Sequence, residues 1–378
     1  MSESSPVRAE VRVDLHAIQH NVRLLVERAA ASGAATMAVV KADAYGHGMV
    51  PVARAALEAG ATWLGSCSQG EALKLREAGI TAPVLAWLDT PDTDRAPAIA
   101  ADIDLSVSSR ADLDRILAAA ERAGRPARVH LKIDTGLSRS GCPPTAWPEL
   151  TALAAEAERA GRISVIGMWS HLACADDPGH PATDLQAKRF DTAWHQAREA
   201  GLRPLRHIAN SAGVLTRPDL HFELVRPGIA MYGLNPMNGP CPADLRPAMT
   251  FRSSVVSTKR VAAGETVGYG ATWTAAVDST LALVPVGYAD GVPRALSGRL
   301  SVWLAGARRP VVGRVSMDQI VVDVTGAAGP IEPGDEVVLF GPGDRGEPTA
   351  AEWAEGLGTI HYEIVTSMYR ARVNRAYV

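Results

Sequence analysis

Apolar runs recur along the first 230 residues at 36–41, 62–67, 83–88, 103–107, 129–133, 163–169, 205–209 and 224–226. They are short and bounded by polar or glycine-containing stretches, which is the pattern of buried parallel strands. Alanine- and charge-rich segments of helical period separate most of them, for example at 50–59, 71–78, 110–123 and 185–200. An amphipathic helix over 15–31, with Leu15, Ile18, Val22, Leu25 and Val26 on one face, precedes the series. Gly60, Gly79, Gly124 and Gly201 stand where helix C-caps are needed. Eight strand–helix units in about two hundred residues predict a (β/α)8 barrel of the TIM type. A doubly wound open sheet is the alternative, but no GxGxxG opens the first unit.

The rhythm stops at 235–247, where four prolines preclude a central strand or a helix and mark a linker. Beyond it, β-branched runs at 251–260, 280–286, 300–304, 319–324 and 336–340 predict a mostly β domain, with helix only at 349–357. The expected division is a barrel over 15–240 and a β domain over 241–378. A short strand within 1–14 has no place in the barrel and is expected to join the β domain.

Composition narrows the class. Of 378 residues, 47% are apolar and 21% charged, as in ordinary globular proteins. A net charge of −3 argues against nucleic acid as the main partner, without excluding a local basic pocket for a small anion. Cys67, Cys142, Cys174 and Cys241 are far apart and form no CxxC, so neither a disulfide scaffold nor a metal site is expected. The N-terminus lacks the apolar core of a signal peptide, and no apolar run could span a bilayer. A cytoplasmic protein with no membrane partner is expected.

Candidate chemistry lies at the ends of the predicted strands. The run 36–48, TMAVVKADAYGHG, passes from β-branched residues to Lys41 and then to glycines. A lysine leaving a hydrophobic strand is costly to bury as a cation, so its pKa should fall, as a Schiff-base lysine requires. The plainer reading is a lysine that reaches solvent. Other strand ends read KIDTGLSR at 132–139, WSH at 169–171, HIANS at 207–211 and RPGI at 226–229. Barrels often bind phosphate with the loops after strands 7 and 8. Asn210 and Ser211 offer donors there, and Gly228 and Ile229 offer approachable backbone N–H groups. Asn-Ser alone is equally a helix N-cap.

These motifs carry a resemblance. VVKADAYGHG (39–48), LKIDTGLSR (131–139), HIANSA (207–212), VRPGIAMYG (225–233), VGYGATW (267–273), GYADG (287–291), VSMDQ (315–319) and TIHYE (359–363) occur in the order of the alanine racemase family. The chain resembles that family essentially end to end. The resemblance implies a pyridoxal 5′-phosphate enzyme, a barrel with a C-terminal β domain, and a homodimer whose active sites are shared between subunits. Lys41 would be the Schiff-base lysine and the D-specific base. Tyr269, from the partner subunit, would be the L-specific base. Arg226 would face the pyridine nitrogen; a guanidinium only donates hydrogen bonds, so the ring would stay unprotonated. His171 would support that arginine. Tyr45, Ser211, Gly228, Ile229 and Tyr362 would hold the phosphate; the family usually has Asn where this chain has His361. Arg139 and the backbone N–H of Met317 would meet the substrate carboxylate, Tyr288 would narrow the channel, and Lys132 matches a lysine carbamylated in many members. The implied reaction is interconversion of L- and D-alanine, which supplies peptidoglycan. A broader amino-acid racemase is one alternative. A non-catalytic cofactor-binding barrel is the other, though it would lack the β domain and any equivalent of Tyr269.

Overall fold

The computed structural model describes residues 7–378, so the first six residues of the segment 1–14, within which a short strand is expected, lie outside the described residues. Two compact units emerge. One is Ala17–Ala44 with Gly48–Arg246; the other comprises the described N-terminal residues up to His16, Tyr45–His47 and Pro247–Val378.

The first strand, β1 (Glu10–Val13), belongs to the second unit. The first unit holds β2 (Ala35–Val39), β3 (Trp63–Ser66), β4 (Val84–Ala86), β5 (Asp104–Val107), β6 (Ala127–Lys132), β7 (Ile163–Trp169), β8 (Leu205–His207) and β9 (Leu224–Val225). All neighbouring pairs are parallel, in the order β8-β7-β6-β5-β4-β3-β2-β9. Between β8 and β9 the Arg226 N–H donates to Ala209 O at 2.9 Å. Each predicted strand overlaps one of these eight, several of the predicted runs reaching one to two residues beyond the observed strand, so the TIM-type (β/α)8 barrel is observed. Helices alternate with the strands, and local sequence sets their ends. Ser68 and Glu71 form a capping box on Gln69–Glu77, and Ser109 caps Arg110–Ala123. Met37, Leu85 and Leu224 form a fully buried apolar cluster. The interior also holds Asp104, His130 and His207, all without exposure.

The second unit is built on a nine-stranded sheet of β1, β10 (Met249–Ser254), β11 (Ser257–Val261), β14 (Ser279–Val284), β15 (Ser301–Leu304), β16 (Ala307–Val312), β17 (Ile320–Asp323), β18 (Glu336–Phe340) and β19 (Asn374–Tyr377), while β12 (Thr266–Val267) and β13 (Trp273–Thr274) form a separate pair. β1 lies between β10, antiparallel, and β19, parallel. The expected run 251–260 is two strands. β10 pairs with β1 and β18, whereas β11 pairs with β14, and the chain turns at Val255–Val256 to change neighbours. β16 carries Arg308, Arg309 and Pro310 in succession, and β19 reads NRAY, so neither stood out as an apolar run. A second helix, His361–Ser367, follows the expected one at Ala350–Leu357; its N-terminus has no side-chain cap to announce it. Among the described residues, no helix is long and apolar enough to cross a membrane.

Candidate active site

β2 delivers Lys41, and the chain then turns in an unusual way. Ala42, Asp43, Ala44 and Tyr45 all have φ between 51° and 54°, a left-handed conformation that non-glycine residues rarely hold in succession. Such a turn persists only if its surroundings over-determine it. Ala44 N–H donates to Val40 O, Gly48 N–H to Asp43 O, and Met49 N–H to Asp43 Oδ1, each at 2.8 Å. Ala42 N–H donates to Glu71 Oε1 at 2.7 Å, while Glu71 Oε2 accepts from Cys67 N–H at 2.7 Å. Glu71 therefore ties the lysine's turn to the end of β3. Burial lowers the Lys41 pKa, and Arg139 adds to the effect against the opposing pull of Cys67 and Glu71. The ammonium nitrogen is 5.9 Å from the centroid of Trp87. This is the environment expected of a nucleophilic lysine.

Lys132 ends β6. Burial, reinforced by Arg226, Arg139 and Lys41, lowers its pKa from 10.5 to about 8. Its amine donates to Ser140 Oγ and lies 4.1 Å from the Trp169 ring centroid. Arg139 is exposed on the loop that follows. That loop is gathered by Asp134 Oδ1, which accepts from Gly136 N–H and Ser138 N–H, and is closed by the Ile133–Cys142 bridge.

Arg226 is buried behind these lysines and densely bonded. It donates to Ser170 O at 2.7 Å, to His207 Nδ1 at 3.1 Å, and more weakly to His171 Nδ1 and Ile208 O at 3.4 Å. Trp169 lies 4.9 Å from its guanidinium carbon. Burial pushes its pKa down, yet a guanidinium surrounded by acceptors stays charged. His171 is held well below its ordinary pKa by burial and then by Arg226, Arg139 and the two lysines, so it is neutral. Ser211 is N-terminal in the helix Ser211–Thr216, capped by Asn210. The Ser211 hydroxyl accepts from Gly228 N–H at 2.8 Å and Ala230 N–H at 3.2 Å, so the loops after β8 and β9, including Ile229, are laced together. The structure thus gathers Lys41, Lys132, His171, Ser211, Arg226, Gly228 and Ile229 at the C-terminal ends of the barrel strands, with Arg139 on the loop after β6.

The remaining predicted residues lie in the second unit. Tyr45 is buried there against Tyr362, with ring centroids 6.4 Å apart, and burial followed by Tyr362 raises its pKa. His361, at the position where the resemblance leads one to expect Asn, stacks on Tyr362 at 5.1 Å and 29°. Tyr288 and Met317 occupy neighbouring loops joined by Tyr288 N–H to Ser316 O and Ala289 N–H to Met317 O, both 3.0 Å. Tyr269 begins a short turn between Gly268 and Gly270 and is 72% exposed.

Comparisons with known proteins bear on this arrangement. Residues 13–236 match the alanine racemase N-terminal domain family, and residues 248–377 the alanine racemase C-terminal domain family. The alanine racemase of Salinispora arenicola is 55% identical over 371 residues, 98% of each chain. The crystal structure of alanine racemase from a D-cycloserine-producing Streptomyces lavendulae superposes with a TM-score of 0.94 at 50% identity, over 99% of this chain and 98% of that one. The alanine racemase from Streptomyces coelicolor A3(2) gives 0.93 at 52%, over 98% of each. The chain belongs to the alanine racemase family.

Within an alanine racemase, the barrel site contains groups that sequence reasoning passed over. Glu71 was legible only as a helical residue, although Ser68 three positions earlier completes a capping-box pattern that could have singled it out. Asp104 and His130 carried no signal, because each sits in an apolar run where a polar residue reads as an interruption. His207 lay inside a family motif without an assigned task.

Proposed function

We propose that this chain interconverts L- and D-alanine with pyridoxal 5′-phosphate as cofactor, and that Lys41 and Tyr269 are its two bases. The observation that carries the reading is the convergence of Lys41, Lys132, Arg139 and Arg226, whose charges act on one another at the barrel mouth. Such a cluster calls for anions, and a phosphate and a carboxylate are the anions this reaction brings. The donor set also fits the cofactor ring, since Arg226 can only donate to its nitrogen. Lys41 would hold the cofactor's aldehyde carbon covalently. Ser211, the Gly228 and Ile229 backbone, Tyr45 and Tyr362 would hold the phosphate. When bound, the cofactor supplies an electron sink for the substrate α-carbon.

The chain's own residues then do the proton work. Lys41, with its lowered pKa, takes and returns the α-proton as a neutral amine on one face. Tyr269 does so on the opposite face, since a single base tends to restore the proton to the side it left. Arg226 limits how far the ring withdraws electrons, which disfavours protonation at the wrong carbon. His171, neutral and at Arg226, keeps that guanidinium oriented. Arg139 and the Met317 N–H grip the substrate carboxylate, and Tyr288 keeps the pocket to a methyl-sized side chain. A buried amine such as Lys132, neutral above pH of about 8 and ringed by cations, is suited to carry the anionic carbamate. Tyr269, Met317 and Tyr288 are 72%, 52% and 40% exposed. Large side chains so uncovered support a homodimer in which they complete the partner's site. The product would feed peptidoglycan synthesis, in the cytoplasm. The test is loss of optical rotation of L-alanine by the loaded protein in deuterated water. Racemisation with deuterium at the α-carbon is expected; persistent rotation with cofactor bound would overturn the reading.

A further inference from the structure

A continuous line of buried polar groups crosses the barrel interior and ends on Arg226. At the N-terminal end of the strands, Asp104 opens β5 and is fully buried. Arg128, second residue of β6 and half-exposed, donates to both its oxygens, at 2.5 and 3.3 Å. Asp104 Oδ2 lies 3.0 Å from His130 Nε2, His130 Nδ1 lies 2.8 Å from His207 Nε2, and His207 Nδ1 lies 3.1 Å from the Arg226 guanidinium. The line joins β5, β6, β8 and β9, and it passes over β7 at Gly167. A Cβ at that position would collide with His130 Nδ1 and come within 3.0 Å of His207 Nε2. Trp169 stacks on His207 at 5.8 Å and 3°, and Trp63 meets His130 edge-on at 5.5 Å. The rings have little room to turn.

Hydrogen-bond chemistry gives the line a direction. Arg226 has no acceptor, so His207 Nδ1 must be the unprotonated nitrogen and Nε2 must carry the proton. That N–H donates to His130 Nδ1, which leaves the proton of a neutral His130 on Nε2, aimed at Asp104. Starting from the other end gives the same answer. Burial would push the Asp104 carboxyl up, but the His130 hydrogen bond and the Arg128 guanidinium outweigh it and hold it below the ordinary carboxylate range. An ionised carboxylate only accepts, so His130 must donate from Nε2. An imidazolium at His130 would also donate from Nδ1, move the His207 proton to Nδ1 and set that N–H against Arg226. Burial, and after it Arg226, hold His207 well below its ordinary pKa, as a neutral link requires.

We propose that Asp104, His130 and His207 act together as a positioning relay for Arg226, reaching it from the face of the barrel opposite the active site. The relay rests on the reading of Arg226 as the partner of the cofactor's ring nitrogen. It supplies Arg226 with an acceptor whose lone pair is locked in place, and a distant negative charge polarises that acceptor toward the guanidinium. Residues at the N-terminal face of such barrels usually serve stability. Here one of them tunes the chemistry at the other end.

The tautomers provide a test that does not depend on turnover. Nitrogen-15 NMR of the cofactor-loaded protein, labelled at histidine, should show His130 and His207 both neutral and protonated at Nε2. A proton on Nδ1 of either ring overturns the relay, and no substitution is needed to see it. Asp104→Asn presents an amide N–H to one of two donors. Where that donor is His130, both rings must reverse and bring an N–H against Arg226. A mixed tautomer signal is expected, with kcat for alanine lowered about tenfold, KM within about twofold, and recovery in Asp104→Glu. Wild-type kcat and unchanged imidazole signals in a folded Asp104→Asn would overturn the proposal. Native tautomers as described, in a protein that does not racemise alanine, would instead sink the function and leave the relay standing.

Discussion

The barrel and the β unit hold their candidate residues in opposite ways. In the barrel, Lys41, Lys132 and Arg226 are backed by structure, while Arg139 is exposed on the loop after β6. Arg226 reaches two carbonyls and two imidazoles, Lys132 rests on Trp169, and the turn after Lys41 is fastened through Glu71. In the β unit, Tyr269, Met317 and Tyr288 stand on loops and are exposed. The contrast is not one of apolar against polar, since Tyr45 in that same unit is buried against Tyr362. It separates groups that set electrostatics, which must be preorganised in a dry site before substrate arrives, from groups that this chain leaves uncovered. Exposed aromatic and methionine side chains are those that interfaces favour.

The sharpest way to test the barrel side is Lys41→Ala. Racemisation should fall by more than about 10⁴-fold, beyond the usual worth of an acid–base group alone, because covalent attachment is lost too. Borohydride reduction followed by mass spectrometry should add the cofactor's mass to the wild type and not to the variant. Equal labelling of both would remove Lys41 from its role. On the other side, Tyr269→Phe should slow proton removal from L-alanine by about 10²–10⁴-fold. Because the residue is exposed, the same change should alter stability by less than about 0.5 kcal/mol. A loss of stability with little loss of rate would make Tyr269 structural.

A third test exploits the charge that burial imposes on the barrel alone. Lys132 has its folded pKa lowered from 10.5 to about 8. Between those values the unfolded chain binds the proton more tightly, so stability should rise with pH across that window. Below pH of about 8 both states are protonated and the penalty is constant. The gain attributable to Lys132 is about 3 kcal/mol at most. It is read as the difference between wild type and Lys132→Met in bicarbonate-free denaturant titrations. Parallel curves from pH 8 to 10.5, to about 0.5 kcal/mol, would mean that Lys132 is not strained by its cationic neighbours.

The barrel was legible because its signal is periodic. Eight apolar runs spaced by helices leave little choice of architecture, and the lysine ending the first of them is conspicuous against Met37–Val40. The β unit was legible in class and blurred in detail, since β16 and β19 are held by neighbours rather than by apolar content of their own. The relay was invisible for a physical reason. Asp104, His130 and His207 are 26 and 77 positions apart, and their relation exists only once β5, β6 and β8 share one interior. The roles of Tyr269 and Met317 came from the resemblance alone, because an exposed tyrosine between glycines carries no local sign of chemistry.

The last prediction asks which chain an exposed tyrosine serves. Lys41→Ala and Tyr269→Phe each inactivate their own homodimer if the two bases meet across a subunit interface. After mixing and reassortment, half the dimers pair one of each, and in every such dimer one site carries both substitutions and the other carries none. Racemisation should return to about one quarter of the wild-type rate, the share expected from random assortment about a two-fold axis. Mass spectrometry of the mixed dimer shows that exchange took place, so silence cannot be blamed on failed reassortment. A rate near zero with mixed dimers present would mean that Tyr269 serves its own chain, and its exposure would then need another explanation. Recovery near a quarter would tie the uncovered residues of the β unit to the well-backed cations of a partner's barrel.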